Sequence, residues 1–212
     1  MTRSQTDAAE WDARYTASPD SMWSGAPNGS LVTEIAGLPV GRALDVGCGE
    51  GADAIWLAQR GWQVTAIDIS SVAISRARVA AKEADVDVDW ACADILETPP
   101  APHAFDLLTI QYPALLRTAG ERPLRALLNA VAPGGLLLIV GHAHADPEIA
   151  RQHGFDPDNY VDLADFSRLV VDDFDVETND IRPRPSPPPG THHADDAVLR
   201  ARRRGERRAG LC

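Results

Sequence analysis

A glycine-rich run between a predicted strand and a predicted helix is the first segment of this sequence with the chemistry of a ligand site. The run is Leu44–Gly51, with glycines at positions 47, 49 and 51. In an open α/β sheet this turn meets the ligand, and glycine lets the backbone approach the ligand closely. Gly47, Gly49 and Ala52 also satisfy the dinucleotide pattern GxGxxG/A. The glycines alone therefore leave the ligand open.

Three carboxylates around this run discriminate between ligands by charge. Asp45 precedes the first glycine, Glu50 lies inside the run, and Asp53 follows it at the start of the predicted helix. A pyrophosphate binds helix-terminal N–H groups best where no anion opposes it. S-Adenosylmethionine has no phosphate and carries a sulfonium and an ammonium. The charges therefore favour S-adenosylmethionine over a nicotinamide dinucleotide.

Two further aspartates follow the next predicted strands. Asp68 ends the second strand, where a carboxylate can accept hydrogen bonds from both ribose hydroxyls. Asp94 follows the third strand and is a candidate partner of an adenine amino group, with Ile69 and Ile95 packing against the ring. A turn or helix-cap aspartate is the alternative interpretation of Asp94.

Residues after the fourth and fifth predicted strands are candidates for chemistry on a second substrate. Gln111 and Tyr112 end the fourth strand, His142 and His144 follow the fifth, and His192 precedes the last. Histidine suits a general base near neutral pH, so we predict His142 as the base and Tyr112 as the other catalytic residue. A soft, already ionised nucleophile would need no base, and surface histidines without a role are the alternative. No HxxxH motif or cysteine partner accompanies the histidines, so no metal is expected.

Alternating strand and helix patterns over residues 31–145 predict an α/β fold with a doubly wound, mostly parallel sheet covered on both faces. We place strands at Ala43–Val46, Gln63–Ile67, Val86–Ala91, Asp106–Ile110, Leu136–Val140, Phe174–Thr178 and Val198–Ala201. Helices are predicted after the glycine run, at Val72–Glu83 and near Asp162–Leu169. The connector Arg182–Gly190 contains five prolines and is excluded as a central strand.

Composition narrows the partners. The chain has 212 residues and a net charge of −11, although six arginines gather between positions 200 and 208. The remaining body is still more acidic and repels nucleic acid, so no nucleic-acid partner is expected. We expect the arginine-rich end to be solvated, with contact to an anionic partner as the alternative.

The chain also lacks the usual signs of export. No apolar segment has the length of a membrane span or a secretory signal, and the three cysteines are too scattered for a disulfide framework. We therefore expect no membrane partner and a cytoplasmic location. The predicted organisation is an amino-terminal helical lid and loop (1–30), a cofactor-binding domain (31–204) and a basic flexible tail (205–212). The oligomeric state is left open.

Taken together and in this order, four motifs resemble the class I S-adenosylmethionine-dependent methyltransferases: Asp45–Gly51, Asp68, Ala93–Asp94 and Pro133–Leu136. The resemblance implies a seven-stranded sheet of order 3-2-1-4-5-7-6, with the last strand antiparallel and helices on both faces. It places Asp45 near the methionine ammonium and implies S-adenosylhomocysteine as the product. The resemblance also implies contacts of Gly47 and Gly49 with the amino-acid part, of Asp68 with ribose, and of Asp94 and Ile95 with adenine. We add four further predicted cofactor contacts: Ile69 at adenine, and Cys48, Gly51 and Gln111.

The residues before the first strand resemble a narrower group. Trp11–Tyr15 and Met22–Gly25 are similar to the tellurite-resistance and thiopurine methyltransferase-like proteins, in which an amino-terminal segment folds over the cofactor. Trp11 and Trp23 are therefore predicted cofactor contacts, since an aromatic face stabilises a sulfonium. A hydrophobic clamp that only holds the segment down is the alternative.

These features predict transfer of a methyl group from S-adenosylmethionine to a small-molecule acceptor, namely a thiol, phenol, heterocycle or chalcogen oxyanion. Two alternatives stay open: a non-catalytic module that binds S-adenosylmethionine, and a nicotinamide-dependent oxidoreductase, which the acidic loop disfavours. The run Gln111–Ala114 lacks the Asn/Asp-Pro-Pro-aromatic pattern of amino-type nucleic-acid methyltransferases.

Overall fold

The structure is a computed structural model that describes residues 3–95, 97–117, 120–143, 147–152, 156–187 and 194–205. Within these ranges a seven-stranded sheet forms the centre of the fold. Its strands are β1 (Arg42–Val46), β2 (Gln63–Asp68), β3 (Asp89–Cys92), β4 (Phe105–Gln111), β5 (Val131–His142), β6 (Phe174–Pro183) and β7 (Asp195–Arg203).

Helices precede and connect these strands. They are α1 (Arg3–Ala17), α2 (Gly29–Glu34), α3 (Ala52–Gln59), α4 (Ser71–Glu83), α5 (Arg122–Ala130), α6 (Pro147–Gln152) and α7 (Leu163–Val170), with a 3₁₀ turn at Pro157–Asn159. Several begin at a capping residue, whose side chain accepts hydrogen bonds from the first N–H groups of the helix. The Asn28 side chain accepts from the N–H groups of Ser30 and Leu31, and Ser70 caps α4 through the N–H of Ala73.

The strand order is β3-β2-β1-β4-β5-β7-β6. Strands β1 to β5 pair in parallel, whereas β7 runs antiparallel to both β5 and β6. The predicted fold class and order are confirmed. Because β7 runs against β5, its first residues lie at the edge where the parallel strands end, and Asp196 stands opposite His142.

Apolar side chains of the central strands enter two hydrophobic layers, one on each face of the sheet. Leu137 and Ile139 pack with residues of α5 and α7, while Leu136 and Leu138 pack with residues of α2 and α3. This burial on both faces explains why the parallel strands read as continuous apolar runs rather than as alternating patterns.

All seven strands differ from their predicted bounds, and β1, β2 and β4 differ by only one residue at an end. Strand β3 begins at Asp89 rather than Val86, β5 already begins at Val131, and β6 continues past Thr178 to Pro183. The first residues of the proline-rich connector therefore belong to a strand. β6 is an edge strand, paired with β7 on one side, so Pro183 at its end removes no donor that a second neighbour would need.

The arginine-rich end is a paired strand up to Arg203, so the expectation of a solvated end is wrong for these residues. Arg200 and Arg202 of β7 form ion pairs with Glu177 of β6, and Arg204 pairs with Asp175 at 2.8 Å. The antiparallel pairing of a basic strand with an acidic one brings these charges together. Arg207 and Arg208 lie outside the described residues.

The division of the chain into lid, domain and tail stays a prediction. Its first boundary, after residue 30, falls inside α2, which begins at Gly29. Residues 206–212 of the proposed tail lie outside the described residues.

Candidate cofactor and acceptor site

The predicted site residues converge on the carboxyl ends of the parallel strands. Strands β2, β1, β4 and β5 are neighbours in this order. Asp68, the glycine loop after Val46, Gln111 and His142 therefore follow one another along this side of the sheet. In open α/β sheets this is where ligands bind. The start of β7 adds Asp196, which the sequence did not predict as a site residue.

The glycine loop leaves its backbone accessible at Gly47. This residue has a φ of +71°, and a Cβ at this position would meet no atom within 4 Å. The N–H groups of Gly47 and Cys48 donate to the carbonyl of Ile67 at 2.8 and 3.1 Å, which ties the loop to β2. The open space beside Gly47 suits the close approach predicted for the amino-acid part of a cofactor.

Gly51 has a packing role inside the protein. Its φ is +86°, and a Cβ there would lie 2.5 Å from Cη2 of Trp90 and 2.9 Å from Cβ of Ala77. The missing side chain therefore lets the start of α3 pack closely against β3 and α4. The predicted contact of Gly51 with a cofactor stays a prediction.

Asp45 carries a buried carboxylate oxygen, Oδ2, that has no hydrogen-bond partner in the described part of the chain. Burial raises the pKa of Asp45 well above its ordinary value, the charges of Asp53 and Asp68 raise it further, and the N–H of Ala54 opposes the shift. A carboxylate in this state is stabilised by a nearby cation and destabilised by another anion. The oxygen thus fits the ammonium of S-adenosylmethionine and opposes a pyrophosphate.

Glu50 does not contribute to the ligand charge in the way predicted. Its oxygens accept hydrogen bonds from the N–H groups of Met22 and Trp23 and from the guanidinium of Arg76 at 2.8 Å. Glu50 was predicted to be one of three acids around the loop that oppose an anionic ligand, but an arginine from α4 neutralises its charge. The nearby pair Asp45 and Asp68 keeps the crevice acidic.

Asp53 is held by the chain just before α2. Its Oδ1 accepts from the N–H of Asn28 at 2.6 Å. Burial raises the pKa of Asp53 to about 6, and the hydrogen bond from Asn28 opposes this shift. Asp53 therefore joins the cofactor loop to the first turn of α2.

Asp68 is buried at the end of β2 and braces the glycine loop. Its two oxygens accept from the N–H groups of Gly49 at 2.9 Å and Ser70 at 2.8 Å. Burial raises its pKa, and these two hydrogen bonds oppose the shift. Each carboxylate oxygen has a second lone pair, so the predicted contact with ribose hydroxyls stays compatible with this arrangement.

Two of the residues predicted at adenine, Asp94 and Ile95, lie in a turn after β3, whereas Ile69 directly follows β2. The carbonyl of Asp94 accepts from the N–H groups of Glu97 and Thr98, which supports the turn interpretation of this residue. Ile95 is 5% exposed and packs in the core, whereas Ile69 is half-buried. Their contacts with an adenine ring stay predictions.

Cys48 is half-buried inside the glycine loop. Burial and the charges of Asp45 and Asp68 raise the pKa of its thiol well above the ordinary value. The thiol therefore stays neutral near pH 7, and a thiolate nucleophile is not formed here.

Tyr15 is the side chain of the amino-terminal segment that lies against Gly49 of the glycine loop. It is 3% exposed, and its hydroxyl accepts from the indole N–H of Trp23 at 3.1 Å. A Cβ on Gly49 would lie 3.0 Å from this hydroxyl. Trp11 is half-buried with its ring centre 6.2 Å from that of Tyr15, and Trp23 is 55% exposed.

The amino-terminal segment, residues 3–28, is docked on the site by Arg76 of α4. The guanidinium donates to the carbonyl oxygens of Tyr15 at 3.0 Å and Ser18 at 2.8 Å as well as to Glu50. These bonds join the end of α1, the glycine loop and α4 in one network. The segment thus covers the loop through polar contacts as well as aromatic ones.

Asp12 anchors the same segment at the start of α4. Its carboxylate accepts from the hydroxyls of Ser70 at 2.6 Å and Ser71 at 2.9 Å and from the N–H of Val72 at 3.2 Å. Burial raises the pKa of Asp12, but these hydrogen bonds outweigh it and hold the pKa below its ordinary value. A carboxylate at a helix start is also favoured by the helix dipole.

At the acceptor end, Tyr112 has an unusual backbone and a buried hydroxyl contact. Its φ is +52°, its N–H donates to the carbonyl of Val140 at 2.6 Å, and its hydroxyl donates to Asp196 at 2.9 Å. Burial and the charge of Asp196 raise the pKa of Tyr112. The ring of His142 stacks on the Tyr112 ring with a centre-to-centre distance of 4.3 Å.

Gln111 lies between the cofactor side and the acceptor side. Its Nε2 donates to the hydroxyl of Thr109 at 2.5 Å. In the described part of the chain its buried Oε1 has no hydrogen-bond partner. The predicted contact of Gln111 with the cofactor stays a prediction.

Sequence analysis missed Ser30 and Asp196, whose side chains are hydrogen-bonded to each other next to the Tyr112 hydroxyl. The Ser30 hydroxyl donates to Asp196 at 2.7 Å across 166 positions of sequence. The acidic pair Asp195–Asp196 before an apolar strand was the available signal, and it does not by itself indicate a site. His144, His192 and His193 lie outside the described residues.

Within the described residues, no group of three or more His, Cys, Asp or Glu side chains is arranged to hold a metal ion. In the same residues, every helix is too short or too polar to cross a membrane.

Comparison with known proteins identifies the central part of the chain. Residues 43–135 match the family model described as a methyltransferase domain. The ubiquinone biosynthesis O-methyltransferase of Chromobacterium violaceum is 35% identical over 95 residues, or 44% of this chain and 41% of that protein. The ribosomal RNA small subunit methyltransferase C of Chromohalobacter salexigens is 35% identical over 119 residues, or 50% of this chain and 33% of that protein. The chain spans about two fifths or less of the length of these curated relatives.

Solved structures extend the likeness over nearly the whole chain. A structure reported for the conversion of a disulfide bond into a thioacetal group during echinomycin biosynthesis is 27% identical, has a TM-score of 0.74 and covers 95% of this chain and 94% of that chain. The N-methyltransferase NodS from Bradyrhizobium japonicum WM9, in complex with S-adenosyl-L-homocysteine, is 20% identical with a TM-score of 0.66 and covers 92% of this chain and 97% of that chain. The second likeness concerns the fold alone.

Residues 43–135 thus resemble a methyltransferase domain, and the strand order is the one that the resemblance to the class I S-adenosylmethionine-dependent methyltransferases implied. The narrower resemblance to the tellurite-resistance and thiopurine methyltransferase-like group stays a prediction.

Proposed function

We propose that this protein binds S-adenosylmethionine at the carboxyl ends of β1, β2 and β3 and transfers its methyl group to a small-molecule acceptor. One observation carries the cofactor assignment: in the described chain, the buried Oδ2 of Asp45 lacks a partner beside the open backbone at Gly47. Both residues lie within the segment that matches a methyltransferase domain. When bound, S-adenosylmethionine supplies an electrophilic methyl group on a sulfonium.

Three side chains would hold the cofactor by charge and hydrogen bonding. Asp45 accepts from the ammonium, Asp68 accepts from the ribose hydroxyls with its remaining lone pairs, and Gln111 offers its buried Oε1. The Asp45 and Asp68 carboxylates both have raised pKa values, so a cationic ligand favours their ionised forms. The glycine spacing is compatible with a dinucleotide, so it is this charge preference that disfavours one.

The amino-terminal segment would exclude water from the reacting groups. Its Tyr15 hydroxyl already rests on the glycine loop, and Trp11 and Trp23 lie next to Tyr15. Methyl transfer is an in-line displacement, so alignment in an enclosed site supplies much of the rate. The aromatic faces would also stabilise the positive charge of the sulfonium.

The stacked rings of Tyr112 and His142 would form the wall on the acceptor side. The Tyr112 hydroxyl donates a hydrogen bond to Asp196 and has a raised pKa. Tyr112 therefore stays protonated and contributes the face of its ring. His142 is exposed at the end of β5 and is the group placed to take a proton from a hydroxyl acceptor. As the bond between the methyl carbon and the acceptor oxygen forms, the proton moves from that oxygen to an imidazole nitrogen of His142 and then to water.

The acceptor is a small molecule in this proposal, although the curated relatives include a ribosomal RNA methyltransferase by name. A net charge of −11 weakens attraction to RNA phosphates. The docked amino-terminal segment also leaves little access for a large folded substrate. Thiols, phenols, heterocycles and chalcogen oxyanions are the candidate classes.

A methyl-transfer assay with radiolabelled S-adenosylmethionine tests this proposal. The panel contains dithiothreitol, catechol, thiopurine, tellurite and small-subunit ribosomal RNA. We expect transfer to at least one small molecule and none to the RNA, with loss of transfer in Asp45→Asn. Asp173→Asn is the matched control and should keep activity, because Asp173 is exposed just before β6, at the end of the sheet where the parallel strands begin. Methylation of the RNA with every small molecule unchanged would contradict the proposal.

A further inference from the structure

Asp196 is a fully buried carboxylate that the proposed chemistry does not use directly. It is the second residue of β7, is 0% exposed and stands opposite His142 in the β5–β7 pairing. One of its oxygens accepts from the Tyr112 hydroxyl at 2.9 Å, and the other accepts from the Ser30 hydroxyl at 2.7 Å. Burying a carboxylate costs free energy unless donors are held against it. The fold therefore keeps both hydroxyls in fixed places around Asp196.

Tyr112 needs such a restraint because its backbone is strained. A φ of +52° is uncommon for a bulky residue and costs free energy, so the surroundings must determine it. The N–H of Tyr112 is held by Val140, and its far end is held by Asp196. Two fixed ends define the plane and the position of the ring.

The position of His142 depends on that ring. His142 is exposed, and its imidazole stacks on the phenol ring with an interplanar angle of 22°. On the same ring, the guanidinium of Arg184 lies 5.3 Å from the ring centre. Moving the Tyr112 ring would therefore displace the exposed imidazole.

We infer that Asp196 is a positioning residue for methyl transfer: by holding the Tyr112 hydroxyl, it fixes the Tyr112–His142 ring pair at the acceptor end of the site. This inference rests on the proposed function, because methyl transfer is what gives the ring pair a substrate. Asp196 is inaccessible, so it acts through Tyr112. Ser30 contributes by holding the second oxygen of Asp196 from the first turn of α2.

The electrostatic surroundings of Tyr112 give this inference a readout that does not require activity. Besides burial, the charge of Asp196 raises the pKa of Tyr112, whereas the charge of Arg184 lowers it. His142 stacks on the ring and is a further titratable group that faces it. Removing the charge of Asp196 should therefore lower the pKa of Tyr112.

The test compares Asp196→Asn with Asp195→Asn, which removes the same charge from the preceding, half-buried residue of β7. Phenol ionisation is followed by difference absorbance, and Tyr112→Phe identifies the Tyr112 signal among the three tyrosines. The His142 ring resonances are followed by NMR, because a stacked phenol shifts them upfield. In Asp196→Asn we expect a lower Tyr112 pKa and a reduced upfield shift of His142. Asp195→Asn should keep both signals unchanged.

Activity adds the functional arm. With the acceptor found by the panel, kcat should fall about 10- to 100-fold in Asp196→Asn, since misplacement of a reacting group by about 1 Å costs up to about 100-fold. Affinity for S-adenosylhomocysteine should stay within twofold of wild type. Unchanged His142 resonances, or unchanged kcat with shifted resonances, would overturn the positioning role.

A second variant covers the case in which Asp196→Asn does not fold. Tyr112→Phe keeps the ring and removes the hydroxyl that Asp196 holds, so the His142 resonances should move in the same direction. Failure of the proposed function is a separate outcome: wild-type protein would then bind no S-adenosylhomocysteine and methylate nothing, while the spectroscopic arms would still report the Tyr112–His142 geometry.

Discussion

The hydroxyl of Tyr15 lies 3.0 Å from the point at which a side chain on Gly49 would begin. This distance is shorter than ordinary van der Waals contact, so a Cβ at residue 49 would require the Tyr15 hydroxyl or the loop to shift by a few tenths of an ångström. The same loop also donates to Asp68 through the N–H of Gly49. Gly49 thus affects both the docking of the segment and the shape of the proposed cofactor crevice.

Gly49→Ala should therefore release the amino-terminal segment. Its φ of +53° costs about 1–2 kcal/mol for a residue with a Cβ, and the contact with Tyr15 adds to this cost. Gly37→Ala is the matched control, because Gly37 also has a positive φ of +78° but nothing within 4 Å. Limited proteolysis should cut Gly49→Ala before residue 28 faster than Gly37→Ala. Equal cleavage rates would show that the contact does not hold the segment.

Asp68→Ala should weaken binding of S-adenosylhomocysteine by about 1.5–3 kcal/mol, the usual contribution of hydrogen bonds to a charged group. Because Asp68 also accepts from Gly49 and Ser70, some loss of thermal stability should accompany it. Calorimetric titration well below the melting temperature separates the two effects. Asp89→Ala, an exposed aspartate at the start of β3, serves as the control. An unchanged dissociation constant would remove Asp68 from the cofactor site.

Titration of Asp53 should reduce the stability of the ligand-free protein as pH rises from about 4 to about 6. Burial raises the pKa of Asp53 from 3.8 to about 6, so the folded state binds more protons than the unfolded state in this window. The free energy of unfolding therefore falls through the window and levels off above it. Asp53→Asn keeps an acceptor for the Asn28 N–H and removes this titration. Urea denaturation at several pH values should show the wild-type value falling relative to the variant, and a relative rise would contradict the burial argument.

His142→Ala should lower kcat by about 10²- to 10⁴-fold for a hydroxyl acceptor, the usual contribution of a general base. A thiol already ionised at the assay pH should be affected little, and affinity for S-adenosylhomocysteine should not change. His103→Ala is the control, since His103 is exposed just before β4, at the opposite edge of the sheet. Hydroxyl methylation that is indifferent to His142 would eliminate it as the base.

The placement of the proposed cofactor residues at the ends of strands was predictable because its signals are local. Gly47, Gly49 and Asp68 sit at strand ends that follow directly from apolar runs and glycines within short segments. Strand order came from the resemblance rather than from the periodicity, which carries no information on neighbours in a sheet.

The contacts that sequence analysis missed all depend on distant elements. Glu50 is neutralised by Arg76, which lies one helix later, so its position in the loop gave the wrong impression of a free charge. Ser30 and Asp196 meet only because β7 inserts antiparallel between β5 and β6. The arginines of β7 find their acidic partners on β6 for the same reason.

Calorimetric titration of the wild-type protein with S-adenosylhomocysteine and NADH at equal concentrations tests the central claim most directly. The acidic crevice around Asp45 and Asp68 predicts one-to-one binding of S-adenosylhomocysteine and no measurable binding of NADH. Binding of NADH as tight as that of S-adenosylhomocysteine, or tighter, would contradict the assignment of the cofactor and the function built on it.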